Sequence, residues 1–476
     1  MKNNQYLIIG LTIFLVMFYF FLRFYKIQTS LLFFNDIGRD FLVLYDWEKS
    51  LKPPLLGPQT SALPFNQSAA YFYFLMPFYL LTNHSLFATL YANAFFYTVL
   101  FLLGVYFLRK KPILQTSLLI TFFLLTIHPQ QITQSRFVWN PSFVSGFILV
   151  SFYFWQILKK NFNNLYLICF TLSLAFAISF NYSAVPTLVA FMLYAIFIFK
   201  KKVLKIYLFT FLNLILVNSP TIFFELRHQF LLTKMLLYQE KIKQQGLDLF
   251  TKLTNLQNFT FPHFSPLLFV CFCLLIILFI YLSFKKFQNK ERNIYLQDSL
   301  VLTLLTFFIT MIAPIGVQNH YIFGILPLLF LVISFLEIRS SLFISLVLAS
   351  VFLQPANLKD YFQPATRTAE EIVSCSEMFC SQEKEPMFVS GQSGLRDFLH
   401  NAMEFKYLFK ESGCTIKDLD TQITEAQKMV VVADNATYEH NKTSFNELTQ
   451  FGKSEEIKIY TCKGGIKLHI LQRVQN

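Results

Sequence analysis

The chain has 476 residues, of which 55% are hydrophobic and 14% are charged, and its mean hydropathy is +0.48. About a quarter of the residues of a soluble domain are charged, so this composition excludes a wholly soluble protein and indicates one embedded in lipid. The formal net charge is +13, but the Lys and Arg residues cluster just beyond apolar segments, as membrane topology requires. We therefore predict no nucleic-acid partner.

Long apolar runs occupy the first three quarters of the chain, whereas the stretch after Pro355 has a soluble composition. This contrast predicts a transmembrane domain at 1–354 and an aqueous domain at 355–476. The first run is followed by Arg23 and Phe24 instead of small residues, which predicts a retained helix and not a cleaved signal peptide. The runs predict about eleven transmembrane helices, at 6–22, 85–108, 113–128, 141–158, 165–180, 186–199, 203–217, 266–284, 299–315, 321–336 and 342–354.

The basic residues predict the orientation of these helices. Counted from a cytoplasmic N-terminus, the loops predicted inside hold the basic clusters at 109–111, 159–160, 200–202 and 285–292, and also Arg339. The short loops predicted outside hold almost none. The positive-inside rule thus predicts a multi-pass protein of the cell membrane with a cytoplasmic N-terminus. An odd number of spans then places the C-terminal domain outside the cytoplasm.

Two of the outer loops are longer than a connection requires, and such loops often carry function. The first loop contains two apolar stretches, at 36–51 and 69–81, that predict interfacial helices. The helix at 36–51 has an apolar face formed by Ile37, Phe41, Leu44 and Trp47. The second loop, at 219–262, contains a polar helical stretch near 238–245.

The C-terminal segment alternates helix-like and strand-like patterns, which predicts a small α/β domain. Helices are expected at 367–375, 395–410 and 444–451, strands at 386–390 and 429–433, and a hairpin at 457–462 and 466–471. The glycines of 391–394 are typical of a tight turn, with a phosphate site at a helix N-terminus as the alternative. Its cysteines, Cys375, Cys380, Cys414 and Cys462, can pair in three ways in an oxidising compartment.

An acidic motif opens the first outer loop. The spacing of Asp36, Arg39 and Asp40 puts the three side chains on one face of a helix. The simple structural interpretation is that Asn35 or Asp36 caps an interfacial helix while Arg39 and Asp40 form an exposed pair. Capping explains one acid, but it does not explain an arginine and a second acid so close to the membrane, so we favour a functional role.

Polar groups also lie at the predicted outer ends of several other helices. For any one of them, snorkelling or helix capping is a sufficient explanation. Several such ends on one leaflet instead favour a shared cavity. The groups are Arg136 with Asn140, the 181–183 segment, Glu225 with Arg227 and His228, and His320 with Tyr321.

The order and sidedness of these motifs resemble the glycosyltransferase C superfamily, in particular the branch of dolichyl-phosphate-mannose protein mannosyltransferases and lipid A aminoarabinose transferases. The mannosyltransferases commonly have an Asp-Glu pair in the first loop, whereas this chain has Asn35-Asp36 with Asp40 one turn later. Which acid is catalytic is therefore open. The resemblance implies a polyprenyl-phosphate-linked sugar as donor and a hydroxyl acceptor on a protein, lipid or glycan.

The resemblance also implies roles for the residues. Asp36 would accept the proton of the acceptor hydroxyl and the anomeric configuration would invert, while Arg39 and Asp40 would orient that base. Arg136 and Arg227 would bind the lipid phosphate, because guanidinium groups match phosphate bidentately. The further substrate-binding candidates are Asn140, Glu225, His228, His320 and Tyr321.

No cluster of His, Cys, Asp or Glu in the sequence has metal-ligand spacing, so we predict no cofactor and no obligatory metal, and leave a divalent ion at the phosphate open. Two other classes of function remain as alternatives. A transporter or flippase would carry its polar residues in mid-bilayer on broken helices, and a membrane scaffold would need neither the acids nor the long first loop.

Overall fold

The structure is a computed structural model that describes residues 2–60, 66–238, 248–286, 290–313, 316–394, 400–440 and 442–474. The chain forms two compact units. The first, here called the membrane unit, comprises Met1–Tyr25, Pro54–Asn83 and Phe87–Tyr361. The second, the C-terminal unit, comprises Lys26–Pro53, His84–Leu86 and Phe362–Asn476. The N-terminal part of the first long loop therefore folds with the end of the chain.

The α-helices are α1 (Lys2–Phe24), α2 (Ile27–Ser30), α3 (Asp36–Ser50), α4 (Ala70–Leu81), α5 (Ala88–Phe107), α6 (Pro112–Ile127), α7 (Pro129–Arg136), α8 (Val144–Lys160), α9 (Asn164–Phe180), α10 (Val185–Phe199), α11 (Val203–Val217), α12 (Ser219–Arg227), α13 (Leu231–Tyr238), α14 (Leu249–Thr260), α15 (Pro266–Lys286), α16 (Lys290–Ile312), α17 (Ile322–Phe335), α18 (Ile338–Phe352), α19 (Pro355–Phe362), α20 (Ala369–Gln382), α21 (Met403–Glu411) and α22 (Asn446–Phe451). Short 3₁₀ turns lie at Asn140–Phe143, Tyr182–Ala184, Lys200–Lys202 and Asn319–Tyr321. The strands are β1 (Leu56–Gln59), β2 (Asn66–Ser68), β3 (Met387–Ser393), β4 (Lys428–Asp434), β5 (Ser454–Thr461) and β6 (Ile466–Arg473).

Every apolar run that predicted a transmembrane span contains an α-helix, and the chain is a polytopic helical membrane protein. Among the described residues, 6 helices are long and apolar enough to cross a membrane, and 8 if each of two bent pairs is one span. The predicted number of spans is higher for two reasons. The helices α9 and α17 are shorter than these candidates, and α10 and α11 form one continuous candidate, Tyr182–Val217. The number of spans thus stays a prediction.

Both bends of these pairs occur where a proline begins the second helix. The axes of α6 and α7 differ by 68°, with Pro129 as the first residue of α7, and those of α18 and α19 differ by 59°, with Pro355 first. A proline lacks the backbone N–H that would continue the preceding helix, and it fits the first position of a new one. The helix that begins at the first of these bends, α7, ends at Arg136, one of the predicted site residues.

Aromatic packing dominates the interior of the membrane unit. Trp155 of α8 is fully buried. Its ring lies 4.9 Å from that of Phe199 and 5.4 Å from that of Phe191. Such edge-to-face pairs add to the stabilisation from burial alone. They join α8 to α10.

The two long loops contain more regular structure than the sequence predicts. The predicted helix at 69–81 is confirmed as α4, and the segment before it pairs β1 with β2 in an antiparallel hairpin. The second loop contains α12, α13 and α14. The polar helical stretch predicted near 238–245 lies, apart from Tyr238 at the end of α13, outside the described residues.

The C-terminal unit contains a four-stranded sheet in the order β3-β4-β6-β5, with β3 parallel to β4 and the other pairs antiparallel. This confirms the predicted small α/β domain and its terminal hairpin. Its core includes Phe388, Met429, Val431 and Leu471. The helix predicted at 395–410 is present in part, as α21, because residues 400–402 are not helical and residues 395–399 lie outside the described part of the chain. Residues 391–393 continue β3 instead of forming the predicted turn.

Two disulfides link the helices of this unit to its loops. They join Cys375 to Cys462 and Cys380 to Cys414, which is one of the three pairings that the sequence allows. Both begin in α20, so the pairing ties this helix to the β5–β6 turn and to the residues after α21. The cysteines of the apolar helices, Cys169, Cys271 and Cys273, are free thiols.

The apolar face of α3 packs against protein. Ile37, Phe41 and Leu44 are buried, and the ring of Phe41 lies 5.3 Å from that of Tyr407 on α21. The sequence predicted an interfacial helix from this face, because burial against lipid and burial against a second helix require the same pattern. Three of the four residues predicted on this face are therefore buried and Trp47 is half-buried, but α21 covers the face.

Candidate active site

The acidic motif of α3 forms one connected group. Arg39 Nη1 lies 3.1 Å from Asp36 Oδ1, and its Nη2 and Nε lie 2.7 and 3.0 Å from Asp40 Oδ1. The spacing along the helix that predicted a common face is thereby confirmed. Arg39 bridges the two acids, and charge-assisted hydrogen bonds of this kind fix the orientation of both carboxylates.

The two acids differ in accessibility. The side chain of Asp40 is 0% exposed, whereas those of Asp36 and Arg39 are 17% and 23% exposed. A group that removes a proton from a substrate hydroxyl must come within hydrogen-bond distance of it. Only Asp36 of the two presents its carboxylate at a surface, and Asp40 is placed to hold Arg39.

The alternative of simple helix capping concerns Asn35. This residue occupies the N-cap position of α3, and no capping hydrogen bond from its side chain is found within the described residues. Its φ of +29° is unusual for a residue other than glycine,. Its backbone N–H donates instead to Glu404 Oε2 at 3.1 Å. The turn before Asp36 is thus held by a residue that sequence reasoning missed.

Glu404 belongs to a buried ionic group with two other residues that the sequence did not single out. Arg367 Nη2 lies 3.2 Å from Glu404 Oε1, and Arg367 Nε lies 2.6 Å from Asp434 Oδ2. Burial raises the pKa of Glu404 above its ordinary value, and Arg367 opposes this shift,. The available sequence signals were weak: a single acid between apolar residues at 404, and an arginine directly before a capping box.

Arg136 is committed to the end of a helix. It is buried, and its Nη1 donates to the carbonyl oxygens of Arg23 at 3.0 Å and Tyr25 at 3.1 Å. The last carbonyls of a helix lack partners within that helix and carry partial negative charge. Arg136 therefore stabilises the C-terminal end of α1, whereas phosphate binding was its predicted role.

Asn140 similarly binds backbone. It is buried at the start of a 3₁₀ turn, and its Nδ2 donates to the carbonyl oxygen of Phe180 at 2.7 Å. Phe180 is the last residue of α9, so this amide also occupies a helix end. The contact joins the segment after α7 to α9.

The predicted group on α12 separates into residues with different surroundings. Glu225 accepts hydrogen bonds from the backbone N–H groups of Leu232 and Thr233, both at 2.9 Å, at the start of α13. Burial by itself would raise the pKa of Glu225, but the hydrogen bond from the Thr233 hydroxyl, together with these two backbone hydrogen bonds, outweighs it and holds the pKa below its ordinary value,. Glu225 thus caps α13.

Arg227 ends α12 and is exposed. Across the described parts of the chain, no hydrogen bond or ion pair of Arg227 is found. Its neighbour His228 stacks on Phe224 with ring centroids 4.1 Å apart. Of the two arginines predicted to bind phosphate, Arg227 is therefore the one whose guanidinium is accessible.

His320 and Tyr321 lie on the 3₁₀ turn that precedes α17. The ring of His320 meets that of Trp139 edge to face at a centroid distance of 5.3 Å and lies 4.8 Å from that of Tyr321. The structure thus brings the segment after Arg136 together with the turn before α17 in the membrane unit. Among the described residues, no group of three or more His, Cys, Asp or Glu is placed to hold a metal ion.

Comparison with known proteins shows a likeness in structure only. No family model matches the chain, and no curated protein matches it. ArnT from Cupriavidus metallidurans, solved bound to undecaprenyl phosphate, is similar with a TM-score of 0.62 and 9% identity over 97% of this chain and 98% of that chain. Its apo structure gives 0.62 and 11% over the same shares.

Two larger proteins share part of this architecture. The Archaeoglobus fulgidus oligosaccharyltransferase, in complex with Zn and sulfate, has a TM-score of 0.52 and 11% identity over 89% of this chain and 68% of that chain. Arabinofuranosyltransferase AftD from Mycobacteria has 0.52 and 9% over 99% and 40%. The resemblance predicted from the motifs is confirmed for the fold, because this chain has a fold similar to that of ArnT over nearly its whole length.

Proposed function

We propose that this chain is a membrane glycosyltransferase that moves a sugar from a polyprenyl-phosphate donor to a hydroxyl acceptor on the extracytoplasmic side. The observation that carries this proposal is the Asp36–Arg39–Asp40 group on a chain with an ArnT-like fold. The undecaprenyl phosphate bound by ArnT supports a donor of the same chemical class here.

In the proposed reaction, the acceptor oxygen attacks the anomeric carbon while Asp36 takes the hydroxyl proton. The bond between the anomeric carbon and the phosphate oxygen breaks, and polyprenyl phosphate leaves with that electron pair. Attack from the face opposite the leaving group inverts the configuration. The partly exposed carboxylate of Asp36, oriented by Arg39, suits this role, and the buried Asp40 holds the arginine.

The leaving phosphate needs a counter-charge and not a proton, since phosphate is already a stable anion. This differs from glycoside hydrolysis, in which an alkoxide leaving group requires a paired acid and base. We assign the counter-charge to Arg227, whose guanidinium is exposed at the end of α12. A planar guanidinium can bind two phosphate oxygens at once.

The test is turnover by the purified protein in detergent with a panel of radiolabelled undecaprenyl-phosphate hexoses and pentoses. We expect release of undecaprenyl phosphate and transfer of label to an acceptor present in a membrane extract. Sealed vesicles containing the protein should not move the labelled donor across the bilayer faster than empty vesicles. Movement without turnover would replace the proposed transferase by a flippase.

A further inference from the structure

Two residues from the end of the chain, Arg367 and Glu404, hold the segment directly before Asp36 within the C-terminal unit. Arg367 Nη1 donates to the carbonyl oxygen of Phe33 at 3.0 Å, and Glu404 Oε2 accepts from the N–H of Asn35 at 3.1 Å. These contacts fix the carbonyl on one side of Phe34 and the N–H on the other. Because Asn35 adopts a φ of +29°, this conformation persists only if its surroundings impose it.

The ion pair that supplies these contacts is rigid and buried. The side chains of Arg367 and Glu404 are 0% and 4% exposed. Arg367 uses its three nitrogens on Asp434, Phe33 and Glu404. A buried guanidinium with every nitrogen bonded has one stable position, and this position transmits the geometry of β4 to residues 33–35.

The packing of α3 on α21 brings Glu404 directly against the start of α3. A Cβ atom built on Gly38 would lie 2.4 Å from both the Cα and the N of Glu404. Any residue larger than glycine at this position would therefore displace the backbone of one helix from the other. The absent side chain permits the approach that lets the Glu404 carboxylate reach Asn35.

We propose that Arg367 and Glu404 are positioning residues for the catalytic carboxylate: together they set the conformation of residues 33–35 and so the place of Asp36. The C-terminal domain is thus part of the catalytic apparatus. This inference rests on the proposed glycosyl transfer with Asp36 as base. Displacing a catalytic group by 1 Å can lower a rate by about 10²-fold, so a modest shift of this turn is sufficient to be measured.

The first test is Glu404→Asp, which keeps the charge beside Arg367 but withdraws the carboxylate by about 1.5 Å. We expect kcat for transfer from radiolabelled undecaprenyl-phosphate sugar to fall by about 10- to 100-fold, with donor KM nearly unchanged. Glu425→Asp is the matched control, since Glu425 pairs with Lys417 at the surface of the same unit. A folded Glu404→Asp protein with wild-type kcat would overturn the inference.

Gly38→Ala tests the positioning of residues 33–35 without altering any charge, and it remains a test of the inference if Glu404→Asp does not fold. We expect the same fall in kcat, and normal turnover by the folded Gly38→Ala protein would equally overturn the inference. A double-mutant cycle excludes a merely structural role. If Glu404 acts through Asp36, Glu404→Asp should lower the residual kcat of the Asp36→Asn protein by less than about twofold.

Additive losses in that cycle would reject the inference, because they would show that Glu404 acts independently of Asp36. These outcomes differ from a failure of the proposed function. If the wild-type protein transfers no sugar, the function is wrong. If it transfers sugar and Asp36→Asn does so equally well, the proposed function stands, but the assignment of the base is wrong and the inference falls with it.

Discussion

Arg136 donates a hydrogen bond to the backbone carbonyl of Arg23 at 3.0 Å, while the guanidinium of Arg23 donates to the carbonyl of Thr126 at 2.5 Å. Each arginine thus stabilises the C-terminal end of another helix, α1 in one case and α6 in the other. Lys252 does the same at the end of α16, and Arg292 at the end of α17. Part of the positive charge of the chain therefore neutralises helix dipoles.

This arrangement predicts different outcomes for the two arginines first assigned to phosphate. Arg136→Ala should lower the free energy of unfolding by about 2 kcal/mol, because it removes a charged group from unpaired carbonyls at a helix end. Thermal unfolding of the purified protein in detergent measures this change. Arg227→Ala is the matched control and should leave the unfolding midpoint unaltered, since Arg227 is exposed.

In binding of tritiated undecaprenyl phosphate, we expect the larger loss in Arg227→Ala and not in Arg136→Ala. Arg227→Ala should weaken binding by about tenfold or more, as expected for the loss of a charged hydrogen bond to phosphate. Arg136→Ala, where folded, should bind nearly as well as the wild type. An Arg136→Ala protein of normal stability that no longer binds the lipid would reverse these assignments.

The apolar runs in the sequence located the membrane helices well, because a run long enough to cross the bilayer is a strong local signal. The common face of Asp36, Arg39 and Asp40 also followed from local spacing. The hydrogen bond from Asn140 to the carbonyl of Phe180 was not predictable, since it depends on which helix ends become neighbours. Likewise, the contact between Asn35 and Glu404 joins residues separated by 369 positions.

The disulfides predict a specific pattern of reactive thiols. Without reductant, alkylation should modify only Cys169, Cys271 and Cys273, and proteolysis should yield linked peptides for Cys375 with Cys462 and for Cys380 with Cys414. Reduction should destabilise the C-terminal domain by about 2–4 kcal/mol per bond. Reduced and alkylated protein is the control. Free thiols at Cys375 and Cys380 in unreduced protein would contradict this prediction.

The alternation of basic clusters predicts the topology. A reporter fused after Asn476 should be extracytoplasmic, and reporters inserted at Lys110 and Lys201 should be cytoplasmic. Pairs of reporters that are active in only one compartment each, such as alkaline phosphatase and green fluorescent protein, provide internal controls. A cytoplasmic C-terminus would remove the odd number of spans, and with it the proposed location of the active site.

The absence of metal-ligand spacing in the sequence predicts that transfer does not depend on a metal ion. Dialysis against EDTA should therefore leave the rate of transfer unchanged, and added Mg²⁺, Mn²⁺ or Zn²⁺ should not increase it. A parallel dialysis without chelator controls for loss of lipid or protein. Loss of activity that a divalent ion restores would instead indicate an ion at the donor phosphate, where charge must be neutralised.

The catalytic assignment is tested by comparing the two acids of α3. Asp36→Asn preserves the size of the side chain and its capacity to cap a helix, but it removes the ability to accept a proton. Transfer should fall by about 10²-fold or more with little change in donor binding. Asp40→Asn should lower the rate of transfer by less, because the buried side chain of Asp40 acts through Arg39. Near wild-type transfer by folded Asp36→Asn protein would refute the assignment and direct attention to Asp40 and Glu225.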